Sequence, residues 1–130
     1  MRQLTAAAWL CATLLATSAV AAASLKVIAG DGTFLGSIDC SGIGNAYSSF
    51  GSKYSGTSIW NRYGQYGSPY SSYSAFNPYT STPPIVYDEN DDRVGYLTTN
   101  KYVGAPGENI SPIDLEAVLS DKCNRPQGYR

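Results

Sequence analysis

Residues 45–79 read NAYSSFGSKYSGTSIWNRYGQYGSPYSSYSAFNPY, and the pattern in this stretch recurs every sixteen residues. Asn45, Asn61 and Asn77 are evenly spaced, and a tyrosine follows each of them two residues later. A period that holds Asn, Gly and Tyr in phase indicates one defined local structure per copy, because a merely biased composition would not keep fixed offsets. We therefore predict that residues 41–84 form ordered turns and short extended pieces, clamped by aromatic packing.

A self-associating, prion-like tract is the alternative for residues 41–84, since alternating polar and aromatic residues also support that behaviour. Strict spacing favours order. High net charge with few aromatic residues is typical of disorder, whereas this segment is rich in tyrosine and has two charged residues, Lys53 and Arg62. Four prolines also oppose the stacking of sheets. They are Pro69, Pro78, Pro83 and Pro84.

Two hairpins are predicted on either side of the repeats. Residues 25–38, LKVIAGDGTFLGSI, alternate apolar residues around a Gly-Asp-Gly turn. Residues 85–98, IVYDENDDRVGYLT, align with them without gaps and place Val86 on Val27. Because a hairpin with one apolar face is marginal alone, we expect the two to pair or pack together. This predicts a small antiparallel sheet or open barrel with the repeats inserted between the hairpins.

A helix is predicted over residues 111–123, which completes a β-rich α+β fold. Ser111 is a candidate N-cap, Pro112 suits the first turn, and Asp114 completes the capping pattern. Apolar residues then follow at helical spacing and form a face that should dock on the sheet. That face consists of Leu115, Val118, Leu119 and Cys123.

The first residues predict export from the cytoplasm. Arg2 gives a positive start, residues 6–20 are apolar but short for a bilayer span, and the alanines of residues 19–23 offer a small-x-small cleavage pattern. We interpret residues 1–23 as a removed secretory signal, with a retained membrane anchor as the alternative. Residues 24–130 then form a single small domain that is secreted or periplasmic.

The cysteines predict a disulfide. Cys11 would leave with the signal, so that Cys40 and Cys123 remain as a pair in a compartment where disulfides persist. Their bridge would close a loop of about 84 residues, which the chain-entropy treatment values at roughly 4 to 5 kcal/mol. We expect this bond to tie the helix to the segment after the first hairpin.

Charge and missing residue types exclude several functions. The chain has 9 Lys and Arg, 10 Asp and Glu, and no histidine. Without a basic stripe, nucleic acid and anionic membrane are poor partners, and no membrane span is expected after signal removal. The lack of histidine excludes Ser-His-Asp and Cys-His nucleophile systems. We predict a non-enzymatic domain; the alternative is a small envelope hydrolase with two carboxylates, which can be distant in sequence.

The repeats and the second hairpin resemble those of small secreted bacterial proteins. The shared pattern is N-x-Y-G-x-Y-G-S-x-Y-S, here residues 61–71, followed by G-Y-x-T-x-N, here residues 95–100. The resemblance covers about residues 25–103. It implies secretion and brings no activity with it. The first copy departs from the pattern, with Ser48 in place of Gly64 and Gly44 in place of Trp60.

An exposed aromatic platform is the candidate binding site. Tyr63, Tyr66 and Tyr70 are the residues we expect to be exposed there. Flat rings with a polar edge bind sugars and extended chains at low entropic cost, so a glycan or a peptide is a possible partner, beside self-association. Trp60 and Phe76 share the position before Asn, and we predict that both belong to the core instead.

A calcium site is a second candidate. Asp88, Asn90 and Asp92 have the alternate-oxygen spacing of a calcium loop. A full loop needs Gly next and a carboxylate at its twelfth position, where this chain has Arg93 and Thr99. A solvated hairpin tip rich in turn-forming residues accounts for the same letters. Calcium is thus a possible ligand, and no other cofactor is expected.

Overall fold

A computed structural model of the chain describes residues 24–105 and 107–125. The predicted signal, residues 1–23, lies outside the described residues, as does the chain beyond residue 125. Within the described ranges, no helix has the length and apolar character that crossing a bilayer requires.

Four short antiparallel strands form an open sheet. Its strands are β1 (Lys26–Ile28), β2 (Phe34–Ser37), β3 (Ile85–Tyr87) and β4 (Arg93–Tyr96), in the spatial order β2-β1-β3-β4. The hairpins are β1–β2 and β3–β4, and they meet through the antiparallel pairing of β1 with β3. The prediction of a sheet built from two related hairpins is confirmed.

The two hairpins are related by an approximate twofold axis that passes between Val27 and Val86. These valines lie opposite each other, and both are fully buried. Val27 also lies opposite Gly36, as Val86 lies opposite Gly95, and each hairpin has a register irregularity directly after its valine. The gapless alignment of the two sequences therefore reflects equivalent positions in the two halves of one sheet.

The C-terminal helix, α1, spans Pro112–Lys122. Its N-cap is Ser111, whose hydroxyl accepts a hydrogen bond from the backbone N–H of Asp114, as predicted. Leu115 and Leu119 are buried, but Val118 is 49% exposed. The prediction that Val118 docks on the sheet is therefore wrong, since the contact stripe of this helix is narrower than the apolar pattern suggests.

The predicted disulfide joins Cys40 to Cys123, with the two Cα atoms 5.2 Å apart. It connects the C-cap of α1 to the segment that follows β2. The same bond explains one departure in the first repeat. A Cβ atom on Gly44 would lie 2.7 Å from Sγ of Cys123, so the aromatic residue found at this position in later copies does not fit beside the disulfide.

Residues 45–82 wind through consecutive hydrogen-bonded turns, and we call this segment the turn spiral. Within single turns, the N–H of the fourth residue donates to the carbonyl of the first, as from Gly64 to Asn61 at 3.0 Å. Other hydrogen bonds join residues six apart in the sequence and so connect successive windings of the spiral, which we call coils. Nδ2 of Asn61 donates to the carbonyl of Ser55 at 3.1 Å, and Nδ2 of Asn77 donates to that of Ser71 at 3.0 Å. The predicted ordered turns are present.

Two glycines allow neighbouring coils of the spiral to approach each other. A Cβ atom on Gly51 would lie 1.9 Å from the carbonyl oxygen of Asn45, and one on Gly67 would lie 2.2 Å from that of Asn61. Any side chain would push the coils apart at these positions. The spacing of Gly in the repeat is thus a packing requirement.

Trp60 joins the spiral to the core beside the sheet. Its side chain is fully buried, and its indole N–H donates to the carbonyl of Ile43 at 2.9 Å. The guanidinium of Arg125 lies 4.7 Å from the centre of the Trp60 ring, and the Phe76 ring centroid is 6.1 Å away. Phe76 itself is partly buried against the core. The prediction that both aromatic residues belong to the core is confirmed.

Replacing Asn61 by Ala should lower the free energy of unfolding by about 1 kcal/mol or more. The substitution removes both side-chain hydrogen bonds of Asn61, the one that Oδ1 accepts from the N–H of Tyr63 and the one that Nδ2 donates to the carbonyl of Ser55. Urea denaturation of the two proteins measures the difference. Arg62→Ala is the matched control, since the neighbouring side chain is exposed, and its effect should stay within about 0.5 kcal/mol. An unchanged midpoint for Asn61→Ala would mean that the spiral does not depend on this side chain.

Mass spectrometry of the non-reduced protein should show the peptides that contain Cys40 and Cys123 as one linked species. Reduction should lower the free energy of unfolding by up to about 4 kcal/mol, because the long closed loop regains its conformational entropy in the unfolded chain. Two thiols that can be alkylated before reduction would contradict the bond.

Candidate functional site

Tyrosines of the spiral, together with Tyr102 beyond it, are the most exposed large apolar side chains of the described residues. Six tyrosines are between 82% and 97% exposed, whereas the other exposed large apolar side chains reach 62% at most. The six are Tyr47, Tyr54, Tyr63, Tyr70, Tyr79 and Tyr102. Their rings are exposed to solvent, although the core of this small domain has few large side chains. Tyr63 and Tyr70 are exposed as predicted.

Each exposed tyrosine is the third residue of a turn that an Asn or Ser side chain closes. The N–H of Tyr63 donates to Oδ1 of Asn61 at 3.1 Å, and the N–H of Tyr70 donates to Oγ of Ser68 at 3.2 Å. The same bond forms at the other four, where the tyrosine N–H donates from Tyr47 to Asn45, Tyr54 to Ser52, Tyr79 to Asn77 and Tyr102 to Asn100. These bonds fix the backbone at each tyrosine, so every ring is attached at a rigid point.

Two clefts lie between pairs of these tyrosines. The first cleft has a volume of about 440 Å³ and contains Tyr54 and Tyr63. The second cleft has a volume of about 410 Å³ and contains Tyr70 and Tyr79. Both volumes fall within the range of small-ligand pockets, about 300 to 1,000 Å³.

The linings of the two clefts correspond residue by residue through the sixteen-residue period. The first is lined by Lys53, Tyr54, Trp60, Asn61, Arg62 and Tyr63. The second is lined by Pro69, Tyr70, Asn77, Pro78 and Tyr79. Adding sixteen to any residue number of the first lining except Trp60 gives a residue of the second, and Phe76 is the equivalent of Trp60. The repeat in the sequence is therefore also a repeat of surface shape.

The first copy of the repeat forms a smaller version of the same cleft. Its volume is about 160 Å³, and Gly44 to Tyr47 occupy the positions that Trp60 to Tyr63 have in the next copy. The Cys40–Cys123 disulfide, Asn124 and Arg125 form the rest of the lining. This cleft has one exposed tyrosine where the other two have two, because the position sixteen residues before Tyr54 is Ile38, which packs against the core.

Tyr66 contradicts the predicted platform, because its side chain is 7% exposed. Its hydroxyl donates to Oδ2 of Asp31 at 2.9 Å and lies 3.0 Å from Oγ1 of Thr33. The ring therefore faces the first hairpin and not solvent. A signal for this was present in the sequence, since Phe50 holds the same position one copy earlier and is packed against the core.

The contact between Tyr66 and Asp31 shifts the pKa of both groups. Burial raises the pKa of Asp31, but hydrogen bonds from the backbone N–H of Thr33 and from the Tyr66 hydroxyl outweigh it, so that this pKa lies below its ordinary value. The hydrogen bond with Thr33 lowers the pKa of Tyr66, whereas burial and the Asp31 carboxylate raise it above its ordinary value. The ionised carboxylate and the neutral phenol are thus the stable pair.

One of the three proposed calcium ligands, Asp88, holds the tip of the second hairpin through its side chain. Oδ1 of Asp88 accepts hydrogen bonds from the backbone N–H groups of Asn90, at 2.8 Å, and Asp92, at 3.0 Å. The carboxylate of Asp91 binds the ammonium group of Lys26. Across residues 24–105 and 107–125, no three acidic or cysteine side chains come together as a metal site. The hairpin turn therefore accounts for Asp88, and the side chains of Asn90 and Asp92 are exposed.

Comparisons with protein-family models, with curated proteins and with solved structures find no match to this chain. The functional argument therefore depends on the exposed tyrosines and on the two equivalent clefts.

Tyr66→Phe should destabilise the protein at pH 7 and have a smaller effect in acid. The folded pKa of Asp31 is depressed, so its contribution to stability is present above the unfolded pKa, about 3.9, and is lost as the pH falls through the folded value. We expect a loss of about 1 kcal/mol at pH 7. Urea denaturation at pH 7 and below pH 3 measures both values.

Tyr63→Phe is the matched control for this comparison, because its exposed hydroxyl should contribute nothing at either pH. Equal destabilisation by Tyr66→Phe at both pH values would show that the Asp31 carboxylate does not stabilise the contact.

Proposed function

We propose that this chain is a non-enzymatic binding domain outside the cytoplasm, and that its exposed tyrosines bind an extended polymer. The observation that carries the proposal is the recurrence of one cleft. Two sites of similar volume, each between two tyrosines that are at least 82% exposed, are related by the same sixteen-residue offset. Equivalent sites in series suit a ligand whose units also recur.

Exposed aromatic rings support a binding role. Monomeric proteins rarely leave contiguous apolar surface in water unless a partner covers it. Tyrosine offers a large, rigid ring with a polar edge, and few rotatable bonds are lost when it makes a contact. The hydrogen bond behind each tyrosine removes backbone freedom before binding, which lowers the entropic cost further.

Two clefts on one rigid segment support binding to a polymer over binding to a small molecule. A shallow site between two rings binds a single unit weakly. When one ligand chain reaches both sites, the second contact is intramolecular, and the overall affinity can exceed that of either site by roughly 10² to 10⁴. The repeated architecture gains most from such a ligand.

The proposed location rests on the disulfide together with the predicted signal. A structural disulfide between Cys40 and Cys123 is typical of secreted and periplasmic proteins, because cytosolic reductants keep thiols reduced. Secretion or export to the periplasm would place the tyrosines next to the polymers of a cell envelope or of the surrounding medium.

The alternative of a hydrolase has less support from the clefts. Glycoside cleavage needs two carboxyl groups about 5 to 10 Å apart on either side of a bound sugar. Neither tyrosine-lined cleft has Asp or Glu among the described residues of its lining. The same holds for the smaller cleft of the first copy and for a cleft of about 300 Å³ lined by Thr98 and Asn109 among others. Binding is therefore the function that the geometry favours.

Double variants test the proposal one cleft at a time. Tyr54→Ala with Tyr63→Ala removes the rings of the first cleft, and Tyr70→Ala with Tyr79→Ala removes those of the second. Each should keep the wild-type unfolding midpoint, because these rings are exposed. Each should lower affinity for a bound polymer by roughly a hundredfold, since the second contact is lost. Affinity electrophoresis against a panel of polysaccharides and peptides measures this.

Tyr102→Ala is the control, because Tyr102 is 84% exposed but lines neither cleft. An equal loss in this variant would contradict the role of the clefts. Sedimentation of the wild-type chain tests the competing function. Concentration-dependent oligomers that disappear in both double variants would assign the tyrosines to self-association.

A further inference from the structure

The two equivalent clefts differ in charge. Residues 41–84 contain two charged side chains, Lys53 and Arg62, and both line the first cleft. The positions sixteen residues later are Pro69 and Pro78, and these line the second cleft. The whole chain has a formal net charge of −1. The two cations are therefore a local feature of one site and do not follow from a basic composition.

Both cations line the cleft beside the tyrosine rings, so that a ligand bound to the rings would contact them. Lys53 and Arg62 are exposed, and each directly precedes one of the two tyrosines of the cleft. Nζ of Lys53 lies 5.5 Å from the centre of the Tyr54 ring. The described residues of the lining include two cations and no carboxylate, and interactions between exposed charges are screened over about 8 Å at physiological ionic strength, so the cations act on a ligand that lies on the rings.

We propose that the polymer is an acidic glycan and that the first cleft binds a sugar unit carrying an anionic group. The rings of Tyr54 and Tyr63 contact the face of the sugar, and Lys53 and Arg62 bind its carboxylate, sulfate or phosphate oxygens. The second cleft has Pro69 and Pro78 in the equivalent positions, and it binds charged and uncharged sugar units of the glycan equally. This inference rests on the proposed binding function and names the ligand class of that site.

The backbone of the first cleft favours a glycan over an acidic peptide. Extended peptides bind largely through main-chain hydrogen bonds to an open strand edge. Here the N–H groups of Tyr54, Tyr63 and Gly64 already donate within their own turns, to Ser52 and Asn61. The cleft offers rings and side-chain cations, and this combination suits a sugar ring with an acidic substituent.

Pairs of polymers with the same backbone and different charge test whether the charge of the ligand determines its affinity. Polygalacturonate is compared with its methyl ester, and alginate with its propylene glycol ester, so that each pair shares a backbone and differs in charge. Polyglutamate serves as the acidic peptide. Isothermal titration calorimetry of the full chain at low and at physiological salt should give at least about tenfold tighter binding to the acid form of one pair, with the preference reduced by salt.

A swap between the two clefts provides the variants. Lys53→Pro with Arg62→Pro gives the first cleft the residues that the second already tolerates, and it should abolish the preference for the acid form while binding to the ester persists. Pro69→Lys with Pro78→Arg should increase affinity for the acid form. Lys53→Gln with Arg62→Gln repeats the first test without new prolines, in case the proline variant fails to fold.

The outcomes distinguish the inference from the proposed function. Equal binding of acid and ester forms by the wild type, or an acid preference that survives Lys53→Gln with Arg62→Gln, would overturn the inference and leave the binding function standing. Tighter binding to polyglutamate than to either acidic glycan would overturn it in favour of a peptide. Absence of binding to every polymer, by a folded chain, would overturn the proposed function and the inference with it.

Discussion

The hydrogen bond from a backbone N–H to the Asn or Ser side chain two residues earlier is the interaction on which the turn spiral depends. Residues 45–82 form neither helix nor strand, so no ladder pairs their backbone groups, yet buried N–H and C=O groups need partners. Short polar side chains supply them, within turns and between coils. The same bond attaches each tyrosine at a fixed point, so stability and ring presentation have one cause.

Solvent-exposed tyrosine rings cannot contribute to the hydrophobic core, and a disulfide compensates for the small size of that core. The buried residues form a small cluster around the Val27–Val86 pair, Trp60 and the inner face of α1. A domain of this size buries a smaller fraction of its surface than a large one. The Cys40–Cys123 bond adds stability by limiting the unfolded chain and not by adding core. The exposed tyrosines are thus carried by a domain in which a covalent bond ties the C-terminal helix to the segment after β2.

Local signals explain how much of the fold was predictable. Strand alternation and the Ser111 cap each depend on a few neighbouring residues, and the disulfide follows from the count of cysteines that remain without Cys11. The structure confirms all three. The direction of Tyr66 was not predictable in the same way, because it depends on a contact with Asp31 across 35 residues of sequence. The prediction for Val118 was wrong for a related reason, since the helical spacing of apolar residues does not show how wide the buried face of the helix is.

The clefts could not be predicted from any local pattern in the sequence. Tyr54 and Tyr63 are nine residues apart, and only the winding of the spiral brings them to one site. The signal that could have indicated exposed rings is the offset of two between Asn or Ser and Tyr. That offset alone is insufficient, because Trp60 follows Ser58 in the same way and is fully buried.

Both ends of the spiral are attached to one sheet, and this closes the repeat. Its first end is held by the bond from the N–H of Ile43 to the carbonyl of Ser37, and at its last end Thr82 lies against Gly30. Open solenoids gain or lose units during evolution because each unit contacts only its neighbours. Here an extra sixteen residues would move β3 away from β1. The pairing of Val27 with Val86 therefore opposes a change in the number of repeats, and variation in the exposed rings is expected from substitutions within the existing copies.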